Sequence, residues 1–291
     1  MGDVDGDGVA DLVVGDWLDS HNGDWNGAAY LVPGGLSQGS YDLDAVGKRL
    51  AGTASFSFVG EAVAPAGDID GDGLAEVIIG APACEDANQG AGAAYLVGAM
   101  PSGHLDLPAG AVTLSGEAAC DRAGSRVEPA GDVDGDGLDD VWVGASSSDL
   151  GGRNGGALYL VKGGLEVDLS LSAAQAVIIG PESASLGHLP LAAGDFDGDG
   201  HSDLAIGWAS TNEAGVAAGA VSVFYGPLEG AYDLEAADVR WLGSSKDEVG
   251  QSVACPGDLD GDGRDELLVG APGTAPAGAA YLVSGAARGE E

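Results

Sequence analysis

The chain has 291 residues, of which 45% are hydrophobic, and a formal net charge of −37. The hydrophobic fraction suits a folded core, while the strong negative charge argues against binding to nucleic acid, phosphate groups or anionic lipid. The sequence contains no run of 18 apolar residues, so it predicts no insertion into a membrane.

A short acidic phrase occurs five times and sets the organisation of the chain. Its first copy reads Gly-Asp-Val-Asp-Gly-Asp-Gly-Val-Ala-Asp-Leu-Val-Val-Gly, and the starting glycines of successive copies lie 65, 64, 63 and 63 residues apart. A regular period of this length indicates a stack or ring of equivalent units. The five copies predict one repeat domain over residues 1–291, with units at about 1–52, 53–116, 117–180, 181–243 and 244–291.

Each copy places carboxylates at alternate positions of a loop, which is typical of an oxygen-rich cation site. We number each loop from its first Asp, so that loops one to five cover residues 3–11, 68–76, 132–140, 195–203 and 258–266. Acidic side chains occupy positions one, three, five and nine, and position seven offers its backbone carbonyl. Calcium accepts about six to eight oxygen ligands, whereas magnesium resists losing its water.

The sequence therefore predicts about five calcium ions, one in each loop. The predicted ligands are Asp3, Asp5, Asp7, Val9 and Asp11 in loop one; Asp68, Asp70, Asp72, Leu74 and Glu76 in loop two; Asp132, Asp134, Asp136, Leu138 and Asp140 in loop three; Asp195, Asp197, Asp199, His201 and Asp203 in loop four; and Asp258, Asp260, Asp262, Arg264 and Glu266 in loop five. The chemical variety at position seven fits a ligand that the main chain supplies. Five calcium ions would reduce the formal charge of −37 by ten, to about −27.

The residues that follow each loop exclude an EF-hand. An EF-hand loop has a bidentate Glu at position twelve and then a helix, whereas position twelve here is Val14, Ile79, Val143, Ile206 or Val269. The apolar run is short and ends in Gly, which predicts a strand. An ordinary polar hairpin turn is the alternative interpretation, because Asp-Gly pairs favour turns. Five copies in register favour the cation, since clustered carboxylates repel one another.

The third unit shows the predicted elements in chain order. Gly124–Gly131 leads into the loop as a first strand, and Asp140–Gly144 follows as a second. Gly156–Val161 and Ala176–Gly180 are the third and fourth strands. Four short strands without a helical period predict an all-β fold, a β-propeller of four-stranded antiparallel blades. The third strand recurs at Gly27–Val32, Gly92–Val97, Gly219–Phe224 and Gly278–Val283.

These repeats resemble the FG-GAP repeats of integrin α-subunit propellers and their bacterial relatives. In that family the unit reads Phe-Gly, a strand, Gly-Asp-x-Asp-x-Asp-Gly-x-x-Asp, an apolar strand and Gly-Ala-Pro. Gly80–Pro82 and Gly270–Pro272 match the last element, while the Phe-Gly element is spaced as Phe58-Val-Gly60 or lacks the aromatic residue. The resemblance covers essentially the whole chain. It implies structural metals on the lower face of a disc and ligand binding on the opposite face.

By this resemblance, the loops after strands two and four form the ligand face. The loop 16–26 carries Trp17 and Trp25 among Asp and Asn side chains, and Trp208 begins the equivalent loop of the fourth unit. Aromatic rings beside polar groups suit a sugar or a peptide, so these three residues are the candidate ligand contacts; packing between blades is the alternative role. Trp142 and Trp241 fall within strand patterns and are expected in the core.

The sequence contains no recognisable catalytic motif. Its four histidines lack the spacing of a zinc site, and it has no Gly-x-Ser-x-Gly, phosphate loop or dinucleotide fingerprint. We therefore expect a non-enzymatic module, extracellular or at the cell surface where calcium is abundant, for binding or adhesion to a protein or glycan. Two alternatives are the propeller of a secreted carbohydrate-active enzyme, such as a polysaccharide lyase, and a structural spacer in a large surface protein.

Three cysteines are compatible with an extracellular setting. By the blade interpretation, Cys84 follows strand two and Cys120 follows strand four of one unit, so both lie in loops of the same face. We expect these two residues to form a disulfide. Cys255 precedes a calcium loop on the other face and is expected to stay a free thiol.

The two ends of the array raise the question of ring closure. The first unit lacks a strand before its calcium loop, and the last unit lacks a strand after Val283. Unpaired edges invite pairing with another chain. The resemblance to integrin-type rings implies seven blades, so we expect the five units to belong to a longer polypeptide whose further strands complete the disc. The alternative is a compact ring of five units with two incomplete blades.

Overall fold

The structure, a computed structural model, describes residues 2–83, 90–98 and 103–286. Within these ranges the chain is built from strands, and the α-helix α1 is a single turn, Leu43–Val46. Three 3₁₀ turns lie at Leu171–Ala173, Leu186–His188 and Leu234–Ala236. The predicted all-β architecture is confirmed. No helix in the described ranges is long and apolar enough to cross a membrane.

Most strands are three to six residues long and follow the predicted order along the chain. The first seven are β1 Leu12–Asp16, β2 Ala28–Val32, β3 Lys48–Gly52, β4 Val63–Gly67, β5 Glu76–Ala81, β6 Ala93–Val97 and β7 Leu105–Leu107. The next seven are β8 Val112–Ser115, β9 Ala123–Gly131, β10 Asp140–Ala145, β11 Ala157–Val161, β12 Leu169–Ser170, β13 Ala176–Ile179 and β14 Leu191–Gly194. The last seven are β15 Asp203–Gly207, β16 Ala220–Phe224, β17 Gly230–Asp233, β18 Val239–Leu242, β19 Ser252–Gly257, β20 Glu266–Ala271 and β21 Ala279–Val283.

These strands form five sheets, one around each acidic phrase. In chain order, the sheets are β1-β2-β3-β7, β4-β5-β6-β8-β12, β9-β10-β11-β13-β17, β14-β15-β16-β18 and β19-β20-β21. Strands within a repeat pair antiparallel, as in β9-β10-β11-β13. The first strands of the later repeats, β4, β9, β14 and β19, contact one another in succession. This arrangement is compatible with sheets placed around a common axis.

Parallel pairing joins each of the first three sheets to the following repeat. β7 lies parallel to β3, β12 to β8, and β17 to β13. Each added strand comes from the connection between the third and fourth strands of the next repeat. A repeat therefore covers the outer edge of the sheet before it, a contact that the sequence pattern did not predict.

In the first four repeats, the Gly near the end of the second strand is required by a close backbone approach. A Cβ at Gly80 would overlap the carbonyl oxygen of Gly124, and Gly124 itself has a φ of +82°, which favours Gly. The residue before this second Gly is apolar and buried, as Ala123 is. In the preceding repeat this buried position is filled by Val59 and not by Phe58. The aromatic ring of the Phe58-Val-Gly60 element therefore does not occupy the position before the Gly.

The apolar cores lie between neighbouring sheets. In β10, Val141 and Val143 pack toward the second sheet, whereas Trp142 packs with Leu204 and Phe224 of the fourth. A strand buried on both faces reads as a continuous apolar run. Trp142 is thus in the core, as expected.

The expectation that Trp241 lies in the core is wrong, because this side chain is 37% exposed. Trp241 lies on β18, which forms the outer edge of the fourth sheet. No strand of the described ranges covers that edge, in contrast to β3, β8 and β13, so the side chain stays accessible.

The first and last sheets are incomplete in the way the sequence indicates. Within the described residues, the first sheet has no strand before β1 and the fifth sheet has three strands. No pairing between the first and fifth sheets occurs in the described part of the chain. Leu12 is 57% exposed, whereas its equivalent Leu204 is fully buried. The number of blades and the closure of the ring stay predictions.

Cys120 and Cys255 both lie among the described residues. Cys255 is a free, half-buried thiol whose sulfur donates to Oδ2 of Asp265 at 3.5 Å. Cys84 lies outside the described residues. The predicted pairing of Cys84 with Cys120 therefore stays a prediction.

Candidate metal centres

Each acidic loop folds around the carboxylate at position one. In loop one, Oδ1 of Asp3 accepts from the N–H of Gly6 at 2.7 Å and of Asp7 at 3.1 Å, and Oδ2 accepts from the N–H of Gly8 at 2.7 Å. Gly6 and Gly8 have φ angles of +77° and +83°, and every other loop repeats this pair of left-handed glycines. The alternating Asp and Gly residues therefore set the loop conformation themselves.

This conformation brings carboxylates together in all five loops. In each loop, ligand atoms from three acidic residues lie within 4.8 Å of one another. Positions one, three and five meet in loops one, three, four and five, whereas positions one, three and nine meet in loop two. The groups are Asp3, Asp5 and Asp7; Asp68, Asp70 and Glu76; Asp132, Asp134 and Asp136; Asp195, Asp197 and Asp199; and Asp258, Asp260 and Asp262.

The buried Asp at position nine has a second role that the sequence did not reveal. Oδ2 of Asp11 accepts from the N–H of Val4 at 2.7 Å, and Oδ1 accepts from the N–H of Gly34 at 2.8 Å. Asp140 and Asp203 repeat both bonds in loops three and four. These carboxylates tie the loop to the chain beyond the third strand. Burial raises the pKa of Asp140 to about 6 and that of Asp203 to about 7.

Glu at position nine behaves differently, because its longer side chain leaves one oxygen without a donor. Oε2 of Glu76 accepts from the N–H of Ile69 at 2.9 Å, and Oε2 of Glu266 accepts from Leu259 at 2.6 Å. In both residues Oε1 is buried and has no hydrogen-bond partner among the described residues. Burial raises the pKa of Glu76 to about 7. A buried carboxylate oxygen of this kind fits a bound cation, since burying an unpaired charge is costly.

The side chains at position seven of loops two to five contact the preceding loop. Leu74 lies against Gly6 of loop one, and Leu138 lies against Gly71 of loop two. His201 and Arg264 make the corresponding contacts with loops three and four. Each of these four side chains thus covers the preceding loop, and the guanidinium of Arg264 also lies 3.9 Å from Oδ2 of Asp262 in its own loop.

The candidate ligand residues of the first repeat lie at the other end of β1 from loop one. Trp17 and Trp25 both approach Phe58, with ring centroids 6.0 Å and 6.4 Å apart, and Trp25 meets the edge of Phe56 at 5.6 Å. Trp208 does not join this cluster. Its ring packs partly against the core between the third and fourth sheets, and its Nε1 donates to Oγ of Ser210 at 3.1 Å.

The sequence did not indicate that Phe56 and Phe58 join this aromatic cluster, because their position depends on two loops closing together. The N–H of Phe56 donates to the carbonyl of Asp24 at 2.7 Å, and the N–H of Phe58 donates to that of Trp25 at 3.3 Å. Trp25, Phe56 and Phe58 have φ angles of +49°, +58° and +53°. The third and fourth repeats close the same loops with smaller or polar residues in this conformation, namely Asn154, Ser183, Ser185, Ala217, Lys246 and Glu248.

Comparison with known families agrees with this repeat geometry. The FG-GAP repeat model matches residues 59–97, 191–224 and 251–283, and the FG-GAP-like repeat model matches residues 132–206. Together these matches cover more than half of the chain. The chain belongs to the FG-GAP repeat family. The resemblance seen in the acidic phrases is thus confirmed.

Integrin α subunits are among the relatives of this FG-GAP chain. It is 30% identical to human integrin alpha-IIb over 210 residues, which is 67% of the chain and 20% of that protein. It is 30% identical to the mouse protein over 165 residues, which is 55% of the chain and 16% of that protein. The FG-GAP chain thus corresponds to a fifth or less of the length of these relatives.

Proposed function

We propose that this FG-GAP chain forms a calcium-stabilised module of β-propeller type that binds a protein or glycan outside the cell or at its surface. The observation that carries the proposal is an exposed aromatic cluster at the end of β1 opposite loop one. Trp17 and Trp25 are 45% and 51% exposed, and both rings lie against the ring of Phe58. The relationship to integrin α subunits supports a binding role rather than catalysis.

The backbone conformation adds a second argument for the aromatic cluster. Bulky residues rarely adopt a positive φ, and each residue held there costs about 1–3 kcal/mol. Corresponding positions of the third and fourth repeats carry smaller or polar side chains. The first repeat therefore holds three aromatic residues under backbone strain, with Trp25 exposed and Phe56 and Phe58 half-buried, and strain of this kind concentrates at functional sites.

Calcium is the proposed structural cation of the five loops. The predicted ligands would be the acidic side chains at positions one, three, five and nine and the carbonyl at position seven. The buried Oε1 atoms of Glu76 and Glu266, which have no partner in the described part of the chain, support this assignment. A bound cation would neutralise the clustered carboxylates and so stabilise the loops between the first and second strands of each repeat.

Substitution of the aromatic cluster tests the binding role. The wild type would first be screened on a glycan array and on an array of extracellular proteins. Trp25→Ala should then weaken binding to the selected ligand by at least about tenfold, because exposed aromatic anchors often contribute more than about 1.4 kcal/mol. Trp241→Ala, which removes an exposed tryptophan on the outer edge of the fourth sheet, is the matched control and should bind as the wild type does.

The outcomes of this screen separate the candidate functions. Equal binding by Trp25→Ala and the wild type would contradict the assigned surface. Cleavage of a polysaccharide on the array would favour the carbohydrate-active enzyme. Absence of binding on both arrays would favour a structural spacer in a larger surface protein.

Removal of one ligand should empty one loop. Asp197→Ala is expected to lower the calcium stoichiometry by one ion, because Asp197 contributes a carboxylate to loop four alone. Equilibrium dialysis with metal analysis measures this change. Glu235→Ala, which alters an exposed acid outside the loops, should leave the stoichiometry unchanged. An unaltered count for Asp197→Ala would argue against loop four as a calcium site.

A further inference from the structure

Each acidic loop is hydrogen-bonded to the next through residues that are distant in sequence. The N–H of Asp139, at position eight of loop three, donates to the carbonyl of Asp68, at position one of loop two, at 3.1 Å. Equivalent bonds join the other neighbouring loops at 2.8–3.1 Å. They run from Ala75 to Asp3, from Ser202 to Asp132 and from Asp265 to Asp195. The five loops are therefore connected in series.

Two of these four junctions have a second hydrogen bond, made by a carboxylate. Oδ2 of Asp139 accepts from the N–H of Asp68 at 2.8 Å, and Oδ2 of Asp265 accepts from the N–H of Asp195 at 3.0 Å. Position eight of loop two is Ala75, which has no polar side chain. Position eight of loop four is Ser202, and within the described ranges its hydroxyl makes no hydrogen bond to the preceding loop.

The carboxylates fit tightly into the loops that they contact. Gly67, the residue before Asp68, has a φ of +78°, and a Cβ at this position would overlap the carboxylate of Asp139. Gly194 precedes Asp195, and a Cβ there would lie 2.8 Å from Oδ2 of Asp265. Glycine at these positions therefore allows the carboxylate of one loop to reach the main chain of another.

Position eight is well placed to transmit the state of its loop. It lies between the predicted carbonyl ligand at position seven and the predicted carboxylate ligand at position nine. Its partner is the main chain of a position-one Asp, whose side chain is a predicted ligand of the preceding loop. A cation that orders one loop would therefore also hold the first ligand of the neighbouring loop in place.

We propose that Asp139 and Asp265 are positioning residues that couple the cation loops in pairs, loop two with loop three and loop four with loop five. This inference rests on the proposed binding of calcium. Occupation of either loop of a pair raises the affinity of the other, and the coupling is reciprocal. Loops one and two, and loops three and four, lack the carboxylate hydrogen bond in the described part of the chain and are coupled more weakly.

The coupling can be measured separately for each loop. The N–H of Gly73 donates to Oδ2 of Asp68 in loop two, and the N–H of Gly8 donates to Asp3 in loop one. The amide signals of these glycines in two-dimensional NMR spectra would report calcium binding to loops two and one. Asp134→Ala removes a loop-three carboxylate that does not take part in the junction.

We expect Asp134→Ala to raise the calcium concentration at the midpoint of the Gly73 transition about fivefold, the lower end of typical coupling between sites. Asp139→Ala should raise this midpoint and also remove its dependence on loop three, whereas Asp139→Asn, which keeps an acceptor oxygen, should retain part of the coupling. As the matched control, Asp70→Ala should shift the Gly8 midpoint by less than about twofold, because the junction of Ala75 has no carboxylate.

A gain of coupling provides a second test. Ser202→Asp places a carboxylate at the junction of loops three and four. It should increase the effect of loop four on the calcium midpoint of Gly137, whose N–H donates to Oδ2 of Asp132 in loop three. If the protein binds calcium but Asp134→Ala leaves the Gly73 midpoint unchanged, the proposed pairing of the loops is wrong. That result would not contradict the proposed calcium sites. Absence of calcium binding from every loop would overturn both proposals.

Discussion

Removal of calcium is expected to lower the melting temperature of this protein sharply. A site whose Kd is about a hundredfold below the ambient calcium concentration stabilises the folded state by about 2.7 kcal/mol, so five such sites contribute about 13 kcal/mol. This sum is comparable to the entire unfolding free energy of a typical domain, about 5–15 kcal/mol. Without the cation, the clustered acidic groups of all five loops also repel one another.

Circular dichroism melts in excess calcium and in excess chelator would measure this effect. Magnesium added at the same concentration as calcium serves as the control, and it should restore little of the stability because it resists losing its water. A melting temperature that chelator leaves unchanged would contradict the structural role proposed for calcium.

The sequence predicted the features of the loops that depend on neighbouring residues. Alternate Asp and Gly residues fix the loop conformation locally, so the meeting of Asp3, Asp5 and Asp7 follows from their spacing. The junction between Asp139 and Asp68 joins residues in two different repeats. Position eight has no periodic signature, because it is Ala, Asp, Ser and Asp in loops two to five. Such a contact becomes visible only when the sheets are packed side by side.

The same distinction applies to the strands and the aromatic residues. Trp142 lies in a continuous apolar run, and its burial follows from that pattern. Trp241 has a similar local pattern but lies on an edge strand, and pairing beyond an edge is not encoded locally. Phe56 and Phe58 join Trp25 because two loops close against each other. The sequence contains these aromatic residues but not the contact that unites them.

Replacement of Glu76 by Gln is expected to change the unfolding free energy in a calcium-dependent way. Gln has nearly the same shape and keeps an oxygen that can accept from the N–H of Ile69, as Oε2 of Glu76 does. It removes the negative charge from the buried position at which Oε1 has no partner within the described ranges. In calcium, loss of the cation at loop two should lower the unfolding free energy by about 2–3 kcal/mol.

In chelator the effect of Glu76→Gln should disappear or reverse its sign. The carboxylate then lies buried beside Asp68 and Asp70 without a counter-ion, which destabilises the folded state, and Gln relieves this cost. Urea unfolding at pH 8, above the raised pKa of Glu76 at about 7, compares both proteins in both conditions. Glu235→Gln, on the exposed surface, should change the free energy by less than about 0.5 kcal/mol in either. An equal loss of unfolding free energy with and without calcium would mean that Glu76 acts through its hydrogen bond and packing alone. That result would argue against a cation site in loop two.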